Sequence, residues 1–125
     1  MPLVQVTESF DHDAWLYELK LDGFRALAEI RGHVCRLISR RGYDFSKWTL
    51  LNEEIAHSVR ARSAVLDGEI VCFAPDGRTR FYTLMLRRDW PHYAAFDLVE
   101  VDDEDLRSRP LIERKRRLRA IMPEN

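Results

Sequence analysis

The 125 residues include 33% charged and 46% hydrophobic side chains, with a formal net charge of −1, the balance of one small domain with a single core. No run of 18 apolar residues offers a membrane span, and Met1 to Asp13 lack the basic start and apolar stretch of a secretory signal, so a cytoplasmic protein is expected. The near-zero charge argues against a chain dominated by phosphate affinity. It is unevenly placed, however: residues 102–105 read Asp-Asp-Glu-Asp and residues 114–119 read Arg-Lys-Arg-Arg-Leu-Arg.

Residues 1–13 read as a leading arm or short edge strand. Over residues 15–21 the sequence alternates, with Tyr17, Leu19 and Leu21 on one side and Glu18, Lys20 and Asp22 on the other. That pattern predicts a strand with one apolar face and one face presenting acid, amine and acid. An edge strand with solvated charges has the same pattern. Gly23 then permits a turn or bulge. Phe24, Ala26, Ala28 and Ile30 alternate with Arg25, Leu27, Glu29 and Arg31, predicting a second strand. Gly32-His33 connects it tightly to a returning strand at residues 34–39. Ser46 is placed to cap a helix whose stripe of Trp48, Leu51, Ile55 and Val59 has helical spacing.

Residues 64–73 form the next predicted strand. Asp67 and Glu69 share its parity with Val65, Val71 and Phe73, so two acids are expected to interrupt an apolar face. They then need partners, because burying a lone carboxylate is costly. Pro75-Asp76-Gly77 signals a turn, with a short return strand over residues 78–82. Residues 93–101 are a further strand and the acidic run 102–105 a turn. Pro110 suits the first turn of a closing helix, with Leu111, Leu118 and Ile121 or Met122 on its apolar side and Arg114 to Arg117 and Arg119 making it basic. That basic run reads as a solvated face or as a contact for DNA phosphate. Cys35 and Cys72 lie in apolar strand-like runs and read as buried free thiols. No Cys/His spacing resembles a zinc site.

Four stretches occur in order: Glu18-x-Lys20-x-Asp22-Gly23-x-Arg25, Ser39-Arg40-Arg41-Gly42, Leu66-Asp67-Gly68-Glu69-Ile70-Val71 and Phe96-Asp97-Leu98. Taken residue by residue, Arg40 suits a solvated strand end or an arginine fork on phosphate or ribose hydroxyls. Asp67 and Glu69 suit a structural ion pair, and Phe96 a core ring or a stacking platform. Taken together, the stretches resemble the nucleotidyl-transfer motifs of ATP-dependent DNA ligases and their capping-enzyme relatives. Trp15 before Glu18, and Leu106-Arg107-x-x-Pro110-Leu111 leading into a charged helix, resemble bacterial ligases of the LigD type. The resemblance spans about residues 13–122.

The resemblance implies an α+β fold with largely antiparallel sheets and packed helices, part of the DNA ligase/mRNA capping enzyme catalytic-domain fold (ATP-grasp-like). It implies that Lys20 attacks the α-phosphate of ATP, becomes adenylylated and passes AMP to the 5′-phosphate of nicked double-stranded DNA. Glu18 positions adenine or the nucleophile, and Arg25 and Arg40 the ribose and phosphates. Glu69 serves the ribose or the metal, Mg²⁺ or Mn²⁺, and Phe96 stacks on adenine. The family's later Glu-Gly motif with its metal-binding glutamate, the strand with α-phosphate lysines and the oligonucleotide-binding barrel find no match. The expectation is therefore a partial adenylation domain over residues 1–125, with a second chain supplying the missing groups. Three alternatives remain at this point: a non-catalytic nucleotide-binding or interaction module, an RNA ligase or capping-type nucleotidyltransferase, and a purely structural β-rich domain.

Overall fold

The computed structural model describes residues 6–123; the first five residues of the expected leading arm lie outside them. The hairpin read from the alternation around Ala26 is the centre of the fold. Strands β1 (Phe24–Arg31) and β2 (Val34–Ser39) pair antiparallel, and the turn between them places Gly32 at φ +60°. Strand β3 (Ser63–Val71) pairs with the other edge of β1, β4 (His92–Val101) with β3, and the two-residue β5 (Glu104–Asp105) with β4. The result is one five-stranded antiparallel sheet in the order β2-β1-β3-β4-β5. Three helices accompany it, α1 (Thr49–Ser58), α2 (Phe81–Met85) and α3 (Leu111–Ile121). The expected α+β class is what forms.

Alternation decides which face is dry. Ala26, Ala28 and Ile30 of β1, Ala64, Leu66 and Ile70 of β3 and Leu98 of β4 are buried, together with Leu37 of β2, Leu51 and Ile55 of α1 and Leu118 of α3. Val59, the last residue of the predicted stripe, follows α1 and joins the same core. Tyr93 lies across this face beneath Gly68. Its hydroxyl is 3.0 Å from the Ala26 carbonyl oxygen and 3.1 Å from that of Leu66, to which it donates, and burial pushes the phenol well above its usual pKa. Cys35 and Cys72 are buried free thiols.

The opposite face of the sheet carries ion pairs. Asp67 and Glu69 project there, half-buried, while their neighbours Leu66, Gly68 and Ile70 point into the core. The acids therefore do not interrupt the core face. The parity expected from the sequence was reversed because Val65 and Val71 look apolar whichever face they occupy. Arg25 pairs with Asp67, Arg31 with Glu100, and Arg114 with Asp97.

Other expectations are corrected by the structure. Residues 15–21 run outside the sheet with no strand pairing, and Leu19 is 89% exposed. Alternation cannot distinguish a paired strand from an unpaired arm, because both have side chains on alternate sides. Ser46 caps nothing: α1 starts at Thr49 behind Trp48, without a side-chain cap hydrogen bond. In the expected return strand 78–82, only Thr79 bridges back to Phe73, and Phe81 opens α2. Pro110 precedes the first turn of α3 as its cap residue, and β5 occupies the end of the acidic turn.

Candidate active site

The site is built around the junction of the arm with β1. Gly23 is the last residue before β1 and lies directly against β3. A Cβ there would stand 2.0 Å from the Ile70 carbonyl oxygen and 2.9 Å from Val71 Cγ1, so only glycine allows this approach. The closeness lets the Gly23 amide donate to Glu69 Oε1 at 2.8 Å, and the Asp22 amide donates to Thr79 Oγ1 at 3.1 Å. Just beyond, Phe24 packs with Phe45, Trp48 and Phe81 at centroid distances of 6.2, 5.9 and 5.3 Å. This aromatic cluster fixes the start of β1, and with it the root of the arm that carries Lys20.

Arg25 projects from the charged face next to Glu69, its register partner on β3. It grips Asp67 through Nε and Nη2 at 3.0 and 2.7 Å, a two-point geometry that fixes the guanidinium plane. The hydrogen bonds that it donates to the Asp67 carboxylate raise the Arg25 pKa, so the guanidinium stays charged. Its Cζ also lies 5.0 Å from the centroid of the Phe96 ring, within cation–π range. Phe96 reaches this position through a bulge. The β3–β4 register passes from Asp67↔Asp97 to Gly68↔Ala95, leaving Phe96 as the extra residue. A bulge re-aims a side chain in this way. Asp97 is fixed by Arg114, with Nε to Oδ1 and Nη2 to Oδ2 both at 2.9 Å. Burial pushes the Asp97 carboxyl up, but hydrogen bonds from Arg114 and the Leu98 amide outweigh it and hold the group below its usual range.

Arg40 is presented by a tight turn. Ser39 closes it through the Gly42 amide to its carbonyl at 2.8 Å and the Tyr43 amide to its hydroxyl at 3.0 Å, with Gly42 at φ +80°. Arg25, Arg40, Arg41 and Glu69 line one open cleft of about 450 Å³ together with Gly23, Phe24, Ser39 and Phe45. A second depression of about 410 Å³ shares Phe24, Ser39 and Phe45 with it and adds Tyr43, Trp48, Lys47 and Arg87. Arg40, Arg41, Lys47 and Arg87 have no ion pair or side-chain hydrogen bond among the described residues.

The structure thus brings Arg25, Arg40 and Glu69 to one cleft and links Phe96 to them through Arg25. Glu18 and Lys20 stand on the exposed arm. Glu18 pairs with Lys115 of α3, and Lys20 makes no hydrogen bond or ion pair among the described residues. The sequence reading did not single out Thr79 or Lys115. Thr79 had no signal beyond its place after a turn, and Lys115 was one cation in a basic run. No cluster of three His, Cys, Asp or Glu suited to a metal occurs among the described residues. A magnesium ion carried largely by nucleotide phosphates needs only one or two protein carboxylates. Glu69 fits that lesser role, since the hydrogen bond it accepts from the Gly23 amide uses only Oε1.

A glycine-seated junction, a paired arginine and an unpaired one in a cleft beside a carboxylate, and an aromatic ring on the same face thus converge at the start of β1. The family profile described as ATP dependent DNA ligase domain matches residues 2–125. The multifunctional non-homologous end joining protein LigD of Pseudomonas aeruginosa is 36% identical over 96% of this chain and 15% of its own length. A probable DNA ligase of Sorangium cellulosum is 35% identical over 94% of this chain and 24% of its own. A mycobacterial DNA ligase D solved with ATP and MES superposes with a TM-score of 0.68 at 31% identity, covering 82% of this chain and 35% of that one. The chain belongs to the ATP-dependent DNA ligase domain family. It spans about a quarter or less of the length of these two curated relatives, and no helix among its described residues is long and apolar enough to cross a membrane.

Proposed function

We propose that this chain provides the nucleotide-binding and nucleophile half of a DNA ligase adenylation site in the cytoplasm, and that Lys20 is the residue adenylylated. The observation that carries the reading is the cleft shared by Arg25, Arg40 and Glu69 at the root of the Lys20 arm. ATP enters this cleft with its ribose and phosphates toward Arg25 and Arg40. Adenine stacks on Phe96, either on the face away from Arg25 or by displacing that guanidinium, since Arg25 covers one face of the ring. The Lys20 amine, having lost one proton to solvent, forms a bond from Nζ to the α-phosphorus and loses a second proton to solvent as the phosphoramidate forms. The bond from that phosphorus to the bridging oxygen breaks, and pyrophosphate leaves with the electron pair. Glu69 would hold Mg²⁺ or Mn²⁺, which when bound would screen phosphate charge. AMP then passes to the 5′-phosphate of nicked DNA. These residues supply one part of the site, so a polypeptide of these 125 residues by itself is expected to leave nicks unsealed.

Labelled ATP tests the first step. Label at the α-phosphate is expected to stay with the denatured chain and label at the γ-phosphate to leave as pyrophosphate. Equal retention of the two, or retention of neither by folded chain, speaks against adenylylation.

The unpaired cations of the adjoining depression suit the phosphates of the DNA strand. Replacing Lys47 or Arg87 by alanine is expected to weaken binding of nicked duplex and to lower the slope of log affinity against log salt by about 1 for each lost contact. An unchanged slope places the DNA elsewhere.

A further inference from the structure

Lys115 lies on α3, outside the four motif stretches. Its ammonium donates to two acceptors, the Glu18 carboxylate and the Phe96 carbonyl oxygen. These belong to the two parts of the site that the sheet does not join, the Lys20 arm and the bulge of β4. Its side chain is 27% exposed, whereas that of Glu18 is 47% exposed, so the more sheltered partner is the fixed one.

We propose that Lys115 is a positioning residue that clips the nucleophile arm to the adenine-facing bulge and so limits where the Lys20 amine can reach. What is positioned rests on the nucleotide reading above; the clip itself rests on these contacts alone. The arm has no strand ladder to hold it. Toward β1 it is tied through the Asp22 amide to Thr79 and the Gly23 amide to Glu69. On the other side of Lys20 the tie to the body is Glu18 to Lys115. Upstream of it, the ring contacts of Phe10 among the described residues are with Trp15 and Tyr17 of the arm itself, at 5.4 and 6.0 Å. Lys20 therefore sits two residues from each tie. Two extended residues span roughly 7 Å, so fixing both ends confines the amine, while releasing one leaves a segment pivoting at Asp22. An ammonium presents three donors, which lets one side chain hold a carboxylate and a carbonyl together. Arg114, the preceding residue, fixes the same bulge through Asp97. Consecutive residues of α3 thus hold the strand and the arm.

The test uses the full chain and a Lys115→Met variant, which keeps the apolar stem and removes the ammonium. Backbone order parameters of residues 16–21 are expected to fall from about 0.8 to below about 0.6, with β1 and β3 unchanged. Adenylylation is expected to slow at least tenfold in kcat, with the KM for ATP changing less than threefold. Lys115→Glu should loosen the arm as well, and Glu18→Lys combined with Lys115→Glu should recover order in residues 16–21. Unchanged order parameters in Lys115→Met, or a fall shared equally by β1 and β3, overturn the clip. If the native chain takes no AMP at all, the nucleotide reading fails while the order parameters still decide whether Lys115 holds the arm.

Discussion

Gly23→Ala is expected to cost about 3 kcal/mol of folding stability, the upper range for forcing an atom into a filled site. The added Cβ would stand 2.0 Å from the Ile70 carbonyl oxygen. That oxygen belongs to β3, which is paired on both edges, by β1 and β4, so it cannot give way as a side chain would. The chain at Gly23 must lift instead. Lifting breaks the hydrogen bond from the Gly23 amide to Glu69 and displaces Phe24 from its aromatic neighbours. Gly32 provides the contrast. A Cβ there meets nothing within 4 Å, and the cost comes only from its φ of +60°, about 1 kcal/mol. Urea unfolding of the two variants measures the difference. Equal losses would mean that the arm is not seated against β3.

The second large effect is at Glu69, and two replacements separate its roles. Glu69→Ala removes the acceptor of the Gly23 amide and is expected to cost about 1–2 kcal/mol by leaving a half-buried donor unpaired. Glu69→Gln keeps an oxygen for that amide, so stability should stay within about 0.5 kcal/mol of the native chain. The amide side chain is a poor metal ligand, however. Adenylylation with Mg²⁺ should fall in both variants, by at least about tenfold in Glu69→Gln, with the loss partly offset at high metal concentration. A Glu69→Gln chain that adenylylates at the native rate would remove Glu69 from the metal and leave it as an anchor for Gly23.

The sequence was most informative where one periodicity served one purpose. Ala26, Ala28 and Ile30 alternate because β1 has one dry face, and the hairpin with β2 followed at its observed bounds. The stripe from Trp48 to Val59 located α1 for the same reason. The site was legible as residue types in order, because Glu69, Arg25 and Arg40 occur in recognisable stretches and the fold gathers them in one cleft. The bulge at Phe96 was not legible. A bulge is a property of two strands in register, and nothing in Phe96-Asp97-Leu98 alone shows that the ladder passes over the ring. Nor could alternation show that residues 15–21 stand free of the sheet, since pairing depends on what lies beside a segment. Lys115 was hidden by its neighbours: within a basic helix, only the fold shows which cation reaches Glu18.

The central claim is that Lys20 carries the adenylyl group, and intact-mass analysis after incubation with ATP and Mg²⁺ tests it most directly. The native chain should gain the mass of one AMP, located by peptide mapping at Lys20, and Lys20→Ala should gain none while keeping native stability, because the side chain is exposed and has no partner among the described residues. A folded native chain that gains no mass in the presence of nucleotide, or an adduct that persists in Lys20→Ala, would contradict the account.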